Sequence, residues 1–333
     1  MSIPVHHGGN VYSVALQNGW DWREVADFSA SINPLGPSPA VRPAILAALD
    51  RIVHYPEADA GRLRQTISRH WHIDPASLML GNGATDLLHF FARALAPSQV
   101  TLVAPVFSEF HRAFPGAVLV AFEAGGWPEE GLVVVTRPAN PTGRLPELED
   151  YLASTTNPVL IDESFIEFTG QPSLVGRVTG TRPNLFVLRS LTKFQAIPGL
   201  RAGALAGPPA VLHEWSRLRE PWQVNVLAEA AVEASLGDPE HARRTVEFVA
   251  SERAWLGSEL AAIRGLAPQP GTANYLLVAV DRPVPRLERH RVLVRDCSGW
   301  PGVPFPYAMR VAVRTRVENV RLIRALRGEL CGK

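Results

Sequence analysis

Of the 33 lysines and arginines in this 333-residue chain, only Lys193 and the final Lys333 are lysine. The composition has drifted to arginine wherever positive charge alone suffices, so the internal lysine that remains points to chemistry a guanidinium cannot do. A primary amine can lose its proton and condense with an aldehyde as a Schiff base; arginine stays protonated. A surface lysine left by chance is the plain alternative. The neighbours argue against it, because Arg189-Ser190-Leu191-Thr192-Lys193 is followed by Gly199-Leu200-Arg201. Ser190 and Arg201 bracket the amine and could bring a hydroxyl and a bidentate fork to one phosphate.

Three other stretches carry chemistry of the same kind. Gly81-Asn82-Gly83-Ala84-Thr85-Asp86 lies between an apolar run ending at Leu80 and an amphipathic segment. A helix that begins there would offer free amides and a positive dipole end to a phosphate. A glycine turn that merely turns is the competing reading, and no Gly-Lys-Ser/Thr follows to make it a nucleotide loop. Asn140-Pro141-Thr142-Gly143 reads as a turn, or as a place where the Asn140 amide donates to a cofactor oxygen. Asp162 ends the apolar run Val159-Leu160-Ile161, where open α/β sheets put their ligand residues. A carboxylate there needs a helix cap, an arginine or a protonated pyridine nitrogen. An amine, an acid for a ring nitrogen, an amide for a ring oxygen and donors for a phosphate together describe a site for pyridoxal 5'-phosphate (PLP).

Positioning these residues requires alternating strands and helices. Val100 to Val106, Ala117 to Phe122, Leu132 to Thr136, Val159 to Ile161 and Leu185 to Leu188 are apolar runs bounded by Pro, Gly and Asn, as buried strands should be. Ala84 to Leu95 places Ala84, Leu87, Leu88, Phe91, Ala92 and Leu95 on one helical face. The pattern predicts an α/β fold with a mainly parallel central sheet. Val224 to Leu236 and Glu240 to Ile263 read as helices. Three apolar runs follow at Tyr275 to Val280, Val292 to Val294 and Met309 to Val313, then a basic helix from Glu318 to Leu330. The expected organisation is an N-terminal segment (1–35) packing with a small C-terminal domain (236–333), and a large cofactor-binding domain (36–235) between them. The Pro-rich stretch Pro34 to Pro43 reads as a hinge or a plain surface loop.

Composition removes several classes of function. A net charge of +1 gives no attraction to nucleic acid or to an anionic membrane. Cys297 and Cys331 provide neither a disulfide framework nor metal spacing. His70 and His72, two apart, point to different sides of a helix, so no metal is expected. No stretch has the length of a membrane span or the make-up of a leader, and a cytoplasmic setting is the expectation.

At this point the chain resembles the fold-type I PLP enzymes of the class I/II aminotransferase superfamily over essentially its whole length. Within it the similarity is to threonine-phosphate decarboxylases and histidinol-phosphate aminotransferases. The resemblance implies that Lys193 bonds the cofactor, Asp162 partners the pyridinium and Asn140 donates to the ring hydroxyl. Gly83, Ala84, Thr85, Ser190 and Arg201 match the phosphate cup, and Phe107 the aromatic ring stacked on the cofactor. Tyr55 matches a tyrosine that reaches the phosphate of a neighbouring subunit, which implies a homodimer with shared sites. Arg310 matches the substrate-carboxylate arginine, Arg295 the arginine nearest a substrate phosphate, and His7 and Asn33 residues around the substrate. The implied substrate is a small phosphorylated amino acid.

Four features favour the decarboxylase. They are the opening His7-Gly8-Gly9-Asn10 with Asp27 to Gly36, the stretch Arg189 to Arg201 with Gln195 where tyrosine is usual, Phe165 in place of a ring-bonding tyrosine, and Arg314 where glycine is usual. A mobile terminus for His7, core packing for Phe165 and strand-edge charges for Arg310 and Arg314 are the plain alternatives. The implied reaction takes carbon dioxide from L-threonine O-3-phosphate and leaves (R)-1-amino-2-propanol phosphate, the aminopropanol arm of cobalamin. Transamination of histidinol phosphate with 2-oxoglutarate is the alternative. A regulator that keeps the fold without the amine would usually carry a DNA-binding extension, and none is visible.

Overall fold

The computed structural model describes residues 8–121, 127–178 and 182–330. The N-terminal segment contributes a short strand, β1 (Ala26–Asp27). Seven strands then build the central sheet: β2 (Leu78–Gly81), β3 (Val100–Ala104), β4 (Val118–Ala121), β5 (Leu132–Thr136), β6 (Val159–Asp162), β7 (Leu185–Ser190) and β8 (Gly203–Ala206). Their order is β2-β8-β7-β6-β5-β3-β4, with every neighbour parallel except at β8, which runs against both β2 and β7.

Both faces of this sheet are covered, and this explains the unbroken apolar runs of its strands. Val133, Val135, Ile161 and Val187 face one core with the helix Val226–Leu236. Val134, Leu160, Phe186 and Leu188 face the other, against the helix Ala84–Leu95. That helix has the bounds expected from its apolar spacing. The 23-residue helix Pro239–Ala261 then leads to β9 (Leu266–Pro268), β10 (Tyr275–Val280), β11 (Val292–Leu293), β12 (Arg295–Asp296) and β13 (Ala308–Ala312). Four of these form an antiparallel sheet of order β12-β13-β10-β9. β11 instead pairs in parallel with β1, and Phe28 joins the core formed by Leu276, Val278 and Met309. The N-terminal segment is therefore packed onto the C-terminal sheet.

Two expectations need adjustment. The stretch from Pro34 is a loop only to Ala40; Pro43 lies within the first turn of the helix Val41–Ala48, where its missing N–H costs no helical bond. The strand expected from Ala117 to Phe122 begins one residue later, at Val118, and is described as far as Ala121; Phe122 lies outside the described residues. Among the described residues no helix is long and apolar enough to cross a membrane, and no group of three potential ligands could hold a metal.

Candidate active site

Because β2, β3, β5, β6 and β7 run the same way, their carboxyl ends meet along one edge of the sheet, where open α/β folds bind ligands. A cavity of about 690 Å³ opens there and reaches across to the C-terminal sheet. Ala84 and Thr85 line it after β2, Phe107 after β3 and Asn140 after β5. Asp162 enters it from the end of β6, and Lys193 and Arg201 from the loop after β7. Arg295 and Arg310 close it from β12 and β13.

Lys193 lies deep in the protein with its amine opening on this cavity, 5.3 Å from the centre of the Phe165 ring. Burial pushes its pKa down to about 8; Asp162 opposes the shift, while Arg201 and Arg310 add to it. The Asp162 carboxyl is pushed up by burial, against hydrogen bonds from Ser164 and the charge of Lys193. One of those bonds is the Ser164 N–H to Oδ1 at 2.9 Å. A buried acid in this state is suited to a cationic partner inside the cavity, and a protonated ring nitrogen is one.

The phosphate cup is built by close backbone approach. Gly83 caps the Ala84–Leu95 helix at φ +90° and ψ 163°, a conformation essentially reserved for glycine. A Cβ there would strike the Arg201 guanidinium, and one at Gly203 would strike the Ala84 amide. The first amides of this helix have no acceptor within it, so they face the cavity beside Arg201 as donors to an anion. Ser190 is buried one step behind the wall; its hydroxyl is 2.9 Å from that of Thr192, and Thr192 is the one that lines the cavity.

Arg310 joins the two sheets. Its Nη1 donates to Asn140 Oδ1 at 2.7 Å and its Nη2 to the Ser29 carbonyl at 2.7 Å. The first bond fixes the Asn140 side chain with its amide NH₂ free to donate elsewhere. Arg310 also lies over the Tyr275 ring at 5.3 Å, and Tyr275 donates to the Ala139 carbonyl at 3.1 Å. Its Nε is buried and unpartnered. Arg295 stands opposite Arg310 in register, so the two side chains share one face of the sheet.

Other expected residues sit elsewhere. Asn33 is not among the residues that line the cavity. Its amide donates to the Phe194 carbonyl at 2.8 Å and to Thr245 at 3.0 Å, and its backbone N–H donates to the Lys193 carbonyl. Asn33 thus holds the lysine loop in place. Arg314 turns away to pair with Glu318 at 2.7 Å, so it is neither a cavity cation nor an exposed charge. Phe165 is a cavity wall as well as a core residue. Gln195 donates to Glu167 at 3.2 Å, part of a buried layer in which Arg189 also meets Glu167. Tyr55 is 79% exposed and stacks on Trp222 at 4.6 Å, away from the cavity of its own chain. His7 lies outside the described residues.

Sequence reasoning passed over Ser31, Tyr275 and Trp300. Ser31 and Trp300 line the cavity, the first with a buried unpartnered hydroxyl. Tyr275 and Trp300 stand in no motif, and Ser31 is one residue of the opening stretch Asp27 to Gly36 with nothing local to single it out; the pairing of β10, β12 and β13 and the return of the N-terminal segment bring them in.

The family model for aminotransferase class I and II matches residues 119–326. The chain belongs to that family. Among its class I/II relatives, the threonine-phosphate decarboxylase of Salmonella typhimurium is 36% identical, with 98% of this chain and 97% of the relative covered. The histidinol-phosphate aminotransferase of Symbiobacterium thermophilum is 31% identical, with 92% and 91% covered. The crystal structure of histidinol-phosphate aminotransferase from Sinorhizobium meliloti in complex with pyridoxal-5'-phosphate has the same fold. Its TM-score is 0.83 at 22% identity, over 98% of this chain and 94% of that one.

Proposed function

We propose that this class I/II family member binds PLP and decarboxylates L-threonine O-3-phosphate, giving (R)-1-amino-2-propanol phosphate in cobalamin biosynthesis. The observation that carries the reading is the pair Arg295 and Arg310, set opposite each other on neighbouring strands and facing the cavity that holds Lys193. Two like charges so placed repel, and an anion between or beside them relieves that. A short substrate with both a carboxylate and a phosphate supplies two; histidinol phosphate supplies one. The full-length similarity to a threonine-phosphate decarboxylase supports the same choice.

PLP fits the residues present: an accessible amine of lowered pKa, a buried acid, an oriented amide and a glycine-lined helix start beside an arginine. Bound PLP supplies an electron sink for the pair of electrons released at the substrate Cα. Lys193 would hold its aldehyde carbon, and the same side chain in its ammonium form would be the group placed to give a proton to the substrate Cα. Asp162 keeps the ring nitrogen charged, and Asn140 donates to the ring oxygen. Ala84, Thr85 and Arg201 grip the phosphate, Gly83 lets them approach it, and Ser190 steadies Thr192 behind them. Phe107 covers a ring face. Arg310 and Arg295 hold the two substrate anions, and remote binding energy of this kind orients the bond to be broken. For His7, which lies outside the described residues, a role beside the substrate rests on the resemblance to the decarboxylases alone.

The same reading divides the chain near residues 35 and 235. Separate cores about the two sheets support that division. It also makes the enzyme a cytoplasmic homodimer in which Tyr55 reaches the partner's phosphate. The test is a product assay. With threonine phosphate, carbon dioxide and aminopropanol phosphate should appear in equal amounts. Glutamate formed from histidinol phosphate and 2-oxoglutarate, with no release of carbon dioxide from threonine phosphate, would replace this reading by the aminotransferase.

A further inference from the structure

The cavity shares a wall with a second cavity of about 550 Å³. Gly8, Ser29, Arg295 and Trp300 line both. The loop bearing Trp300 is pressed against the end of β3. Trp300 Nε1 donates to the Val106 carbonyl at 2.9 Å, and its backbone N–H to the Cys297 carbonyl at 3.1 Å. Gly302, at φ +80°, lies so close to this edge that a Cβ would come within 2.7 Å of Ala104. The indole is thus a fixed panel. Arg295 lies over it, 5.2 Å from the ring centre, and among the described residues no carboxylate bonds Arg295. The ring face is what sets the reach of that guanidinium. Beyond the panel the second cavity has a mixed lining: Val284, Val292 and Val294 border it together with Ser108 and His111, whose Oγ and Nε2 are buried without partners.

We infer that Trp300 is a specificity-determining residue: it closes the cavity to its neighbour, and so limits the substrate to a short phosphorylated amino acid. On this inference, a phosphorylated amine with an imidazole side chain is the ligand that needs the space beyond the indole. The inference rests on the proposed substrate class, and its test separates the two. Purified PLP-loaded Trp300→Ala, Trp300→Leu and Trp300→Phe variants would be compared with the natural enzyme. Carbon dioxide release gives kcat and KM for threonine phosphate; the change in the near-visible absorbance of bound cofactor gives the Kd for threonine phosphate and for histidinol phosphate.

For Trp300→Ala, preference between the two ligands should move toward histidinol phosphate by about tenfold or more, the scale of apolar pocket contacts. KM for threonine phosphate should rise more than kcat falls, as Arg295 loses its platform. Trp300→Phe keeps a ring in the wall and should keep the natural ranking, while Trp300→Leu should shift it if the alanine variant does not fold. An unchanged preference in the alanine and leucine variants, or an equal loss for both ligands in all three variants, overturns the inference. If the natural enzyme releases no carbon dioxide, the decarboxylase reading fails, and the ratio of Kd values for the two ligands still decides the part played by Trp300.

Discussion

At the scale of single residues, Lys193 combines nucleophilicity with accessibility. Its folded-state pKa of about 8 lies below the ordinary lysine value of 10.5, mainly because of burial. The neutral amine therefore predominates above about pH 8 and the ammonium below it. PLP capture by the cofactor-free protein should accelerate with pH and level off above about 8, as read by the growth of near-visible absorbance in stopped flow. An inflection near 10.5 would place the amine in open solvent. The same shift acts on stability. Between about 8 and 10.5 the unfolded chain holds a proton that the folded one has released, so this group's contribution rises with pH across that window and is flat below it. Lys193→Ala should yield a protein that gains no PLP mass after borohydride reduction, while Lys193→Arg should do no better, since a guanidinium does not condense.

Elements decide where such residues meet. Gly83 stands at the junction of β2 and its helix with a backbone that only glycine takes up readily, against the Arg201 guanidinium. Gly83→Ala should cost about 1–3 kcal/mol of stability from backbone strain, measured by urea unfolding, and should weaken inorganic phosphate binding in the cofactor-free protein. The bounds of Ala84–Leu95, Leu132–Thr136 and Tyr275–Val280 were legible because each is a strong apolar pattern cut off by Gly, Pro or Asn. β8 was not, since Gly203-Ala204-Leu205-Ala206 has little intrinsic strand preference and owes its state to ladders with β2 and β7. The site divides in the same way. Lys193, Asp162 and Asn140 sit in local patterns that announce strand ends and turns. Asn33 does not: its amide is consumed by Phe194 and Thr245, 161 and 212 residues away, and no local pattern records that.

The whole molecule carries an apolar surface that its own fold leaves open. Ile52 and Val53 are 61% and 76% exposed, and Leu46, Leu49, Trp222 and Tyr55 are exposed with them. Such a patch marks an interaction surface, and the homodimer proposed above gives it an occupant. Ile52→Glu combined with Val53→Glu should shift the enzyme to monomer in analytical ultracentrifugation and loosen PLP at the same time. Tyr55→Phe should loosen PLP without dissociating the subunits. A double variant that stays dimeric would show that the contact lies elsewhere.

One detail of sheet order reaches further than its size suggests. Since β8 is reversed, the chain leaves β7 and re-enters the sheet beside it through residues 191–202, without a crossover. The amine and the arginine fork at opposite ends of the proposed cofactor thus hang from a single bridge, anchored on both banks. Within that span the Ile197 N–H bonds the Thr192 carbonyl and the Leu200 N–H the Ile197 carbonyl, and the Leu191 N–H bonds the Ala202 carbonyl across its ends. A prosthetic group held at both ends by that span would be fastened to the central sheet itself.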